Sequence, residues 1–319
     1  MTTTRRALLA ASLLPLPAVA QEAWPSRPIR IIVPYPPGGG SDVTARLVSP
    51  GMQAALGQPV VIDNRPGATG VIGTEAAARS APDGYTLLLA DMPHTITPAL
   101  NRNLPYDLVA DFAPVSVLGV APMALFAHPS VPAANAAEFA TLARARPEGF
   151  SYASAGIGGN THLMAELFQR LMGLRVVHVP YRGSGPAIQD LAAGQVQVMF
   201  TTMLTAAPLL QNNAVKALGV ASAARLPDLL GTPTFREQGI DLVAEHWWGL
   251  LAPARTPEPI VARLAAAVAA TMAQPELRPR IAQIGLLPRA EGPAAFAAQI
   301  RADLARWDEL VRAANIRLE

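Results

Sequence analysis

Ile29-Arg30-Ile31-Ile32-Val33, followed at once by Pro34-Tyr35-Pro36-Pro37-Gly38-Gly39-Gly40-Ser41-Asp42, is the stretch from which the fold can be read. The β-branched run predicts a buried strand. Val43-Thr44-Ala45-Arg46-Leu47-Val48 begins a helical pattern, with Ser41 or Asp42 as its N-cap. A strand, rigid prolines, three glycines and a helix start leave backbone N–H groups bare at the positive end of a helix dipole. Such a loop binds anions. The same residues also serve as a tight strand-to-helix turn with no further role.

The pattern argues against a nucleotide. Phosphate loops place a lysine after the glycines, whereas here Ser41-Asp42 follow and the chain's one lysine is Lys216. The dinucleotide pattern G-x-G-x-x-G fails because Val43 stands at the last glycine. An acid in the loop repels a doubly charged phosphate, so a planar, singly charged carboxylate suits these amides better.

With 319 residues and ample apolar content, two domains are expected. Residues 1–20 read as an export leader: Arg5-Arg6, an apolar run Ala7 to Val19 containing Pro15 and Pro17, then Ala18-Val19-Ala20 before Gln21. Thr4-Arg5-Arg6-Ala7-Leu8-Leu9 admits twin-arginine as well as general export. No later run reaches the ~18 apolar residues of a membrane span. There is no cysteine, hence neither disulfide nor lipid attachment at the cleavage site. A free periplasmic protein is expected. Without the leader, 23 basic residues face 23 acidic ones. No basic stripe points to nucleic acid.

Strand-loop-helix grammar continues along the chain. The helix from Asp42 is expected to break at Pro50-Gly51 and to close at Gly57. Strand Pro59–Asp63 runs into Asn64-Arg65-Pro66-Gly67-Ala68-Thr69-Gly70 and a helix over 71–80. Strand Tyr85–Ala90 ends at Asp91-Met92-Pro93-His94-Thr95. This alternation predicts a parallel sheet with helices on both faces and ligands at the carboxyl ends of its strands. Phe112–His128 reads as a crossover strand broken by Gly119 and Pro122. A second α/β unit follows. It has a helix over 134–146, strand Phe150–Ala153, loop Ser154-Ala155-Gly156-Ile157-Gly158-Gly159-Asn160-Thr161, and a helix to Met172. Strand Arg175–Val179, a helix ending at Ala193, and strands Val196–Phe200 and Val215–Val220 come next. Trp247 to Pro253 reads as a return crossover, and helices start near Pro257, Pro275 and Pro293. One glycine-rich loop per domain predicts a hinged cleft with amides on each wall.

Several motifs together resemble one family. They are Pro34 to Asp42, Asn64-Arg65-Pro66-Gly67-Ala68-x-Gly70, Pro82-Asp83-Gly84-Tyr85-Thr86-Leu87-Leu88 and His178-Val179-Pro180-Tyr181-Arg182-Gly183. Ser154-x-Gly156-x-Gly158 with His162-Leu163 and Glu166-Leu167-Phe168 completes the set. The chain resembles the Bug-type (TctC-like) periplasmic receptors of tripartite tricarboxylate transporters over its whole length after the leader. The resemblance implies an α/β type II periplasmic-binding-protein fold (Venus flytrap), with two Rossmann-like domains joined by two crossover strands. Its first domain would comprise residues 22–122 plus 246–319, its second 123–245. It implies a monomer that passes a small carboxylate to membrane transporter subunits, with no cofactor and no catalysis. Carried over, Tyr35, Pro37, Gly38, Gly39, Gly40, Ser41 and Asp42 form one jaw. Ser154, Gly156, Gly158, Asn160 and Thr161 form the other. Thr69 and Asp91 end neighbouring strands and reach toward the cleft. Many relatives carry an Asp where this chain has Thr201-Thr202, which points to a ligand without an amino group, such as a dicarboxylate, tricarboxylate or aromatic acid.

Other residues carry two readings. His162 either braces the second loop or touches ligand; Arg182 pairs either with a carboxylate in the cleft or with a surface acid. His178 reads as a satisfied core histidine, Trp247 and Trp248 as packing, and Ser184 as a helix cap. The five histidines show neither H-x-x-x-H nor H-E-x-x-H, so no zinc site is expected. Asp42 and Asp91 could converge as an acid–base pair, which keeps an exported hydrolase or isomerase as the enzyme alternative. Tyr181-Arg182-Gly183-Ser184-Gly185 lacks the first glycine of a nucleophile elbow. A receptor that signals to a sensor partner is the third possibility.

Overall fold

The computed structural model describes residues 24–181, 183–226, 231–283, 285–313 and 315–316. The expected leader and Arg182 lie outside the described residues. Strand β1 (Ile29–Val33) lies between β2 (Val60–Asn64) and β3 (Thr86–Asp91), parallel to both. Beyond β3 the order continues through β9 (Glu245–Pro253) to β4 (Phe112–Ala127), and both of these contacts are antiparallel. The expected all-parallel sheet is therefore mixed, because the two crossover strands insert side by side.

Strand β4 has 16 residues and serves two sheets. From Phe112 to Pro122 it pairs with β9; from Met123 to Ala127 it pairs with β7 (Val198–Thr202), and from Ala124 with β8 (Lys216–Val220). Strands β5 (Ser151–Ser154) and β6 (Val177–Pro180) extend this second sheet in parallel beyond β7. The strand runs on through Gly119 and Pro122, with a shift of register between Val117 and Gly119. A Cβ on Gly119 would lie 2.7 Å from Leu287 O, so glycine admits the short β10 (Leu287–Pro288). Pro122, which has no N–H to give a ladder, stands where β4 exchanges partners.

Helix α1 (Gly40–Leu56) begins before its predicted cap, Ser41 or Asp42. Its N-cap is Gly39, so Ser41 and Asp42 sit inside the first turn. The helix runs unbroken through Pro50-Gly51 and ends on left-handed Gly57, φ 73°. Pro50 cannot donate to Arg46 O, and Ser49 Oγ donates to that carbonyl instead at 3.4 Å. Gly51 lets α1 press on α8 (Glu258–Met272): a Cβ there would come within 2.4 Å of Thr271 Cγ2. The remaining helices are α2 (Val71–Ala78), α3 (Pro93–Leu100), α4 (Ala136–Ala145), α5 (Asn160–Met172) and α6 (Ser184–Ala192). They continue with α7 (Met203–Gln211), α9 (Arg278–Gln283) and α10 (Pro293–Ala313). No described helix is long and apolar enough to cross a membrane.

One face of the first sheet buries Ile29, Ile31 and Val33 against α1 and α8. The other buries Ile32, Leu88 and Trp247 against α10, where Trp247 Nε1 donates to Asp303 Oδ2 at 2.8 Å. Each such aliphatic side chain contributes about 1.5–3 kcal/mol on burial.

Candidate functional site

A cavity of about 790 Å³ opens at the carboxyl ends of β1, β3, β5 and β7. Of the helix N-termini that border it, those of α1 and α5 are built alike. The N-cap of α1 is Gly39 (φ −76°, ψ 167°) and that of α5 is Gly159 (φ −74°, ψ 166°), and neither is capped by a side chain. In each, the residue before the cap is a left-handed glycine, Gly38 at φ 84° and Gly158 at φ 75°. That glycine's amide is taken by the third residue of the helix. Gly38 N donates to Asp42 Oδ2 at 2.9 Å, and Gly158 N donates to His162 Nδ1 at 3.0 Å. These braces resemble half of a capping box. They leave other amides unused: among the described residues, Gly39, Gly40, Ser41, Ile157 and Asn160 donate to no acceptor.

Asp42 therefore stands behind the first jaw. It is 3 % exposed and also accepts from Arg46 Nε at 3.0 Å and Asn64 Nδ2 at 2.9 Å. Burial opposes its charge, yet these donors hold its carboxyl below the ordinary carboxylate range. The second jaw rests on a stack of rings. His162 lies over His178 with centroids 4.1 Å apart, and His178 over Tyr152 at 4.7 Å. His178 Nε2 is 2.7 Å from Ser154 Oγ, which in turn accepts from Gly156 N at 3.2 Å. Burial pushes both histidines down to about 4, so each ring is neutral and His162 Nδ1 has a lone pair for Gly158.

The floor holds a buried acid. Asp91 accepts from Tyr35 Oη and Ser41 Oγ, both at 2.9 Å, and lies 2.8 Å from His94 Nδ1. Burial alone would raise its pKa, but the His94 contact, the nearby His246 and the Ser41 hydroxyl hold it low. Burial and the Asp91 charge push the Tyr35 phenol well above its ordinary range. Across the cleft, Asn160 Nδ2 donates to His246 Nδ1 at 3.1 Å, which joins α5 to β9. Burial pushes the His246 imidazole below its ordinary range, against the attraction of the Asp91 charge.

Of the expected residues, Tyr35, Pro37, Gly39, Gly40 and Ser41 line the cavity from the first jaw. Gly156, Gly158, Asn160 and Thr161 line it from the second, and Thr69, Asp91 and Thr201 from between. Gly38, Asp42, Ser154 and His162 do not line it; they hold the loops from behind. Asp42 and Asp91 consequently do not meet in the cavity as an acid–base pair. Thr69 takes a left-handed conformation, φ 54°. Ser184 is the first residue of α6 rather than its cap, and it lines the cavity too.

Other lining residues were not anticipated. Ile96, Thr97 and Leu100 come from α3, and Thr205 from α7. His246 and Trp248 come from β9, where alternation along a strand puts them on one face. Trp248 packs, as expected, but its Nε1 also donates to Ser41 Oγ at 3.1 Å. No lysine or arginine lines the cavity among the described residues. An anion there would meet helix ends, threonine hydroxyls and apolar surface.

Residues 44–316 match the family model described as the tripartite tricarboxylate transporter family receptor. The protein BugT of Bordetella pertussis (strain Tohama I) is 34% identical over 304 residues, covering 94% of this chain and 93% of that one. Among solved structures, R. palustris Rpa4515 with adipate superposes at a TM-score of 0.79 with 33% identity, covering 92% of this chain and 99% of that one. MatC (Rpa3494) from Rhodopseudomonas palustris, with bound malate, superposes at 0.76 with 35% identity, covering 90% and 100%.

Proposed function

This chain belongs to the tripartite tricarboxylate transporter receptor family and has the two-domain fold of periplasmic binding proteins, and from that premise we propose that it captures a small carboxylate between its domains. The ligand, a dicarboxylate, tricarboxylate or aromatic acid without an amino group, is then delivered to the membrane subunits of a tripartite transporter. One observation carries this reading: two uncapped helix N-termini, braced in the same way, border one cavity. Bare amides at a helix start hold a carboxylate without a cationic side chain. Charge-assisted hydrogen bonds of this kind contribute about 1.5–3 kcal/mol each.

In this reading the two domains are residues 22–122 plus 246–319 and residues 123–245. They close about the crossover strands, the protein is exported to the periplasm after loss of residues 1–20, and it acts as a monomer without cofactor or chemistry. The saturated environment of Asp42 and Asp91 favours a receptor over the hydrolase or isomerase alternative, because neither acid is free to move a proton.

The test is a thermal-shift screen of the protein lacking residues 1–20 against mono-, di- and tricarboxylates, aromatic acids and amino acids. A ligand at a hundred times its Kd adds about 2.7 kcal/mol, or roughly 5–10 °C for a chain of this size. Shifts confined to carboxylates support the proposal. Silence across all carboxylates, or amino acids preferred over their deaminated analogues, would sink it.

A further inference from the structure

One wall of the cavity has its hydroxyl protons already committed. Tyr35 Oη gives its proton to Asp91 Oδ1 and Ser41 Oγ gives its proton to Asp91 Oδ2. The serine has no choice in the matter. Trp248 Nε1, which can only donate, approaches Ser41 Oγ at 3.1 Å, so the oxygen accepts there and its hydrogen must point elsewhere. Asp91 stays ionised at the centre of this cluster, held by His94 as well as by the two hydroxyls. What Tyr35 and Ser41 turn to the cavity is lone pairs. Ser41 also carries an amide that donates to no described acceptor, so a single residue sets a donor beside an acceptor.

A carboxylate resting on the Ser41 amide fits that donor, but the adjoining oxygens would repel a second carboxylate. They need a donor from the ligand. A hydroxyl on the carbon next to the carboxylate has the right reach, since the Ser41 amide and hydroxyl belong to one residue. Ser41 Oγ already accepts from Trp248, so an analogue without it would leave Tyr35 Oη without a donor as the cleft closes, and an unmet buried acceptor is costly.

We propose that Asp91 is a specificity-determining residue, which by fixing Tyr35 and Ser41 as acceptors selects a 2-hydroxy carboxylate as ligand. The inference rests on the receptor reading above and deepens it. Asp91 acts through its two partners, so its test must read selectivity and not binding alone.

The experiment is calorimetric titration of the protein lacking residues 1–20 with matched pairs, malate against succinate and lactate against propionate. The hydroxylated member of each pair binds at least about tenfold tighter in the wild type. Asp91→Asn brings an NH₂ donor that frees a hydroxyl proton, and it compresses the ratio to within about threefold. Tyr35→Phe removes the Oη acceptor and one hydroxyl donor to the acid while leaving the carboxylate and its bonds to Ser41 and His94 in place, and does the same, which covers a failure of Asp91→Asn to fold. Equal binding of both members by the wild type overturns the proposal, as does an unchanged ratio in Tyr35→Phe. Aspartate binding more tightly than malate overturns the hydroxyl assignment in favour of an ammonium. If neither member of either pair binds while another carboxylate does, the receptor reading survives and this inference falls. If no carboxylate binds at all, both fall.

Discussion

Replacing Gly39 by valine separates binding from folding. Gly39 sits at φ −76° and ψ 167°, ordinary extended backbone for any residue. A Cβ there meets only Pro36 O, at a comfortable 3.7 Å. The folded state therefore accepts valine, and losing glycine's freedom in the unfolded chain adds about 0.4–1 kcal/mol of stability. Binding should suffer, because the side chain shields one of the bare amides at the start of α1. Loss of one charge-assisted hydrogen bond costs about 1.5–3 kcal/mol, a fall in affinity of roughly 10- to 150-fold. Gly158 is the contrasting position. At φ 75° a valine costs about 1–2 kcal/mol in the fold itself and disturbs the amide that His162 accepts. Its melting temperature should drop by roughly 2–8 °C. Scanning calorimetry of both unliganded variants, then titration with the carboxylate that shifts the wild type most, distinguishes them. Affinity retained within twofold in Gly39→Val, or a melting point there as depressed as in Gly158→Val, would refute the reasoning.

Three further outcomes follow from the packing. Because burial depresses His162 and His178 to about 4, the unfolded chain takes up their protons from about pH 6.5 downward while the folded chain does not. Stability is thus full above about pH 6.5 and lost toward pH 4; pH-dependent melting should show this, and His178→Phe, which keeps the stacked ring, should flatten the decline. Gly51→Ala should cost about 1–3 kcal/mol by forcing α1 off Thr271, and Thr271→Ser should recover part of it in a double-mutant cycle. Asn160→Ala removes the bond from α5 to His246, so stopped-flow measurements should find faster ligand dissociation with little change in melting temperature.

Much of this arrangement could be read from local grammar. The apolar run Ile29–Val33, the glycine triplet and Gly57 each specify a strand, a turn and a stop at their own positions. What stayed hidden depended on partners remote in the chain. Helices α3 and α7 contain Pro98 and Pro208 in their interiors, which locally argue for loops, yet both form and line the cavity. Pro50 argues locally for a break in the same way, but Ser49 Oγ serves the carbonyl it orphans. In the site, residue types were legible but their direction was not. Asp42 looked like a ligand contact and holds Gly38 from behind; Trp248 looked like packing and faces the cavity, as does His246 two residues before it. The matched braces had a sequence signal after all: a glycine pair with an acceptor side chain four residues after its first member, Asp42 in one case and His162 in the other.

Strand β4 and its neighbour β9 also dictate an order of assembly. Leu88 of β3 finds its partner in Leu251, and Arg102 near α3 pairs with Asp308 of α10, so the N-terminal sheet depends on the last stretch of the chain. The second sheet needs only segments between Met123 and Val220, all synthesised earlier. A nascent chain can thus complete its middle first, while β3, buried on both faces in the finished protein, waits with one edge unpaired. Such an edge invites pairing with other chains, and it is the part of this polypeptide that a chaperone has most reason to cover until the C-terminal residues arrive.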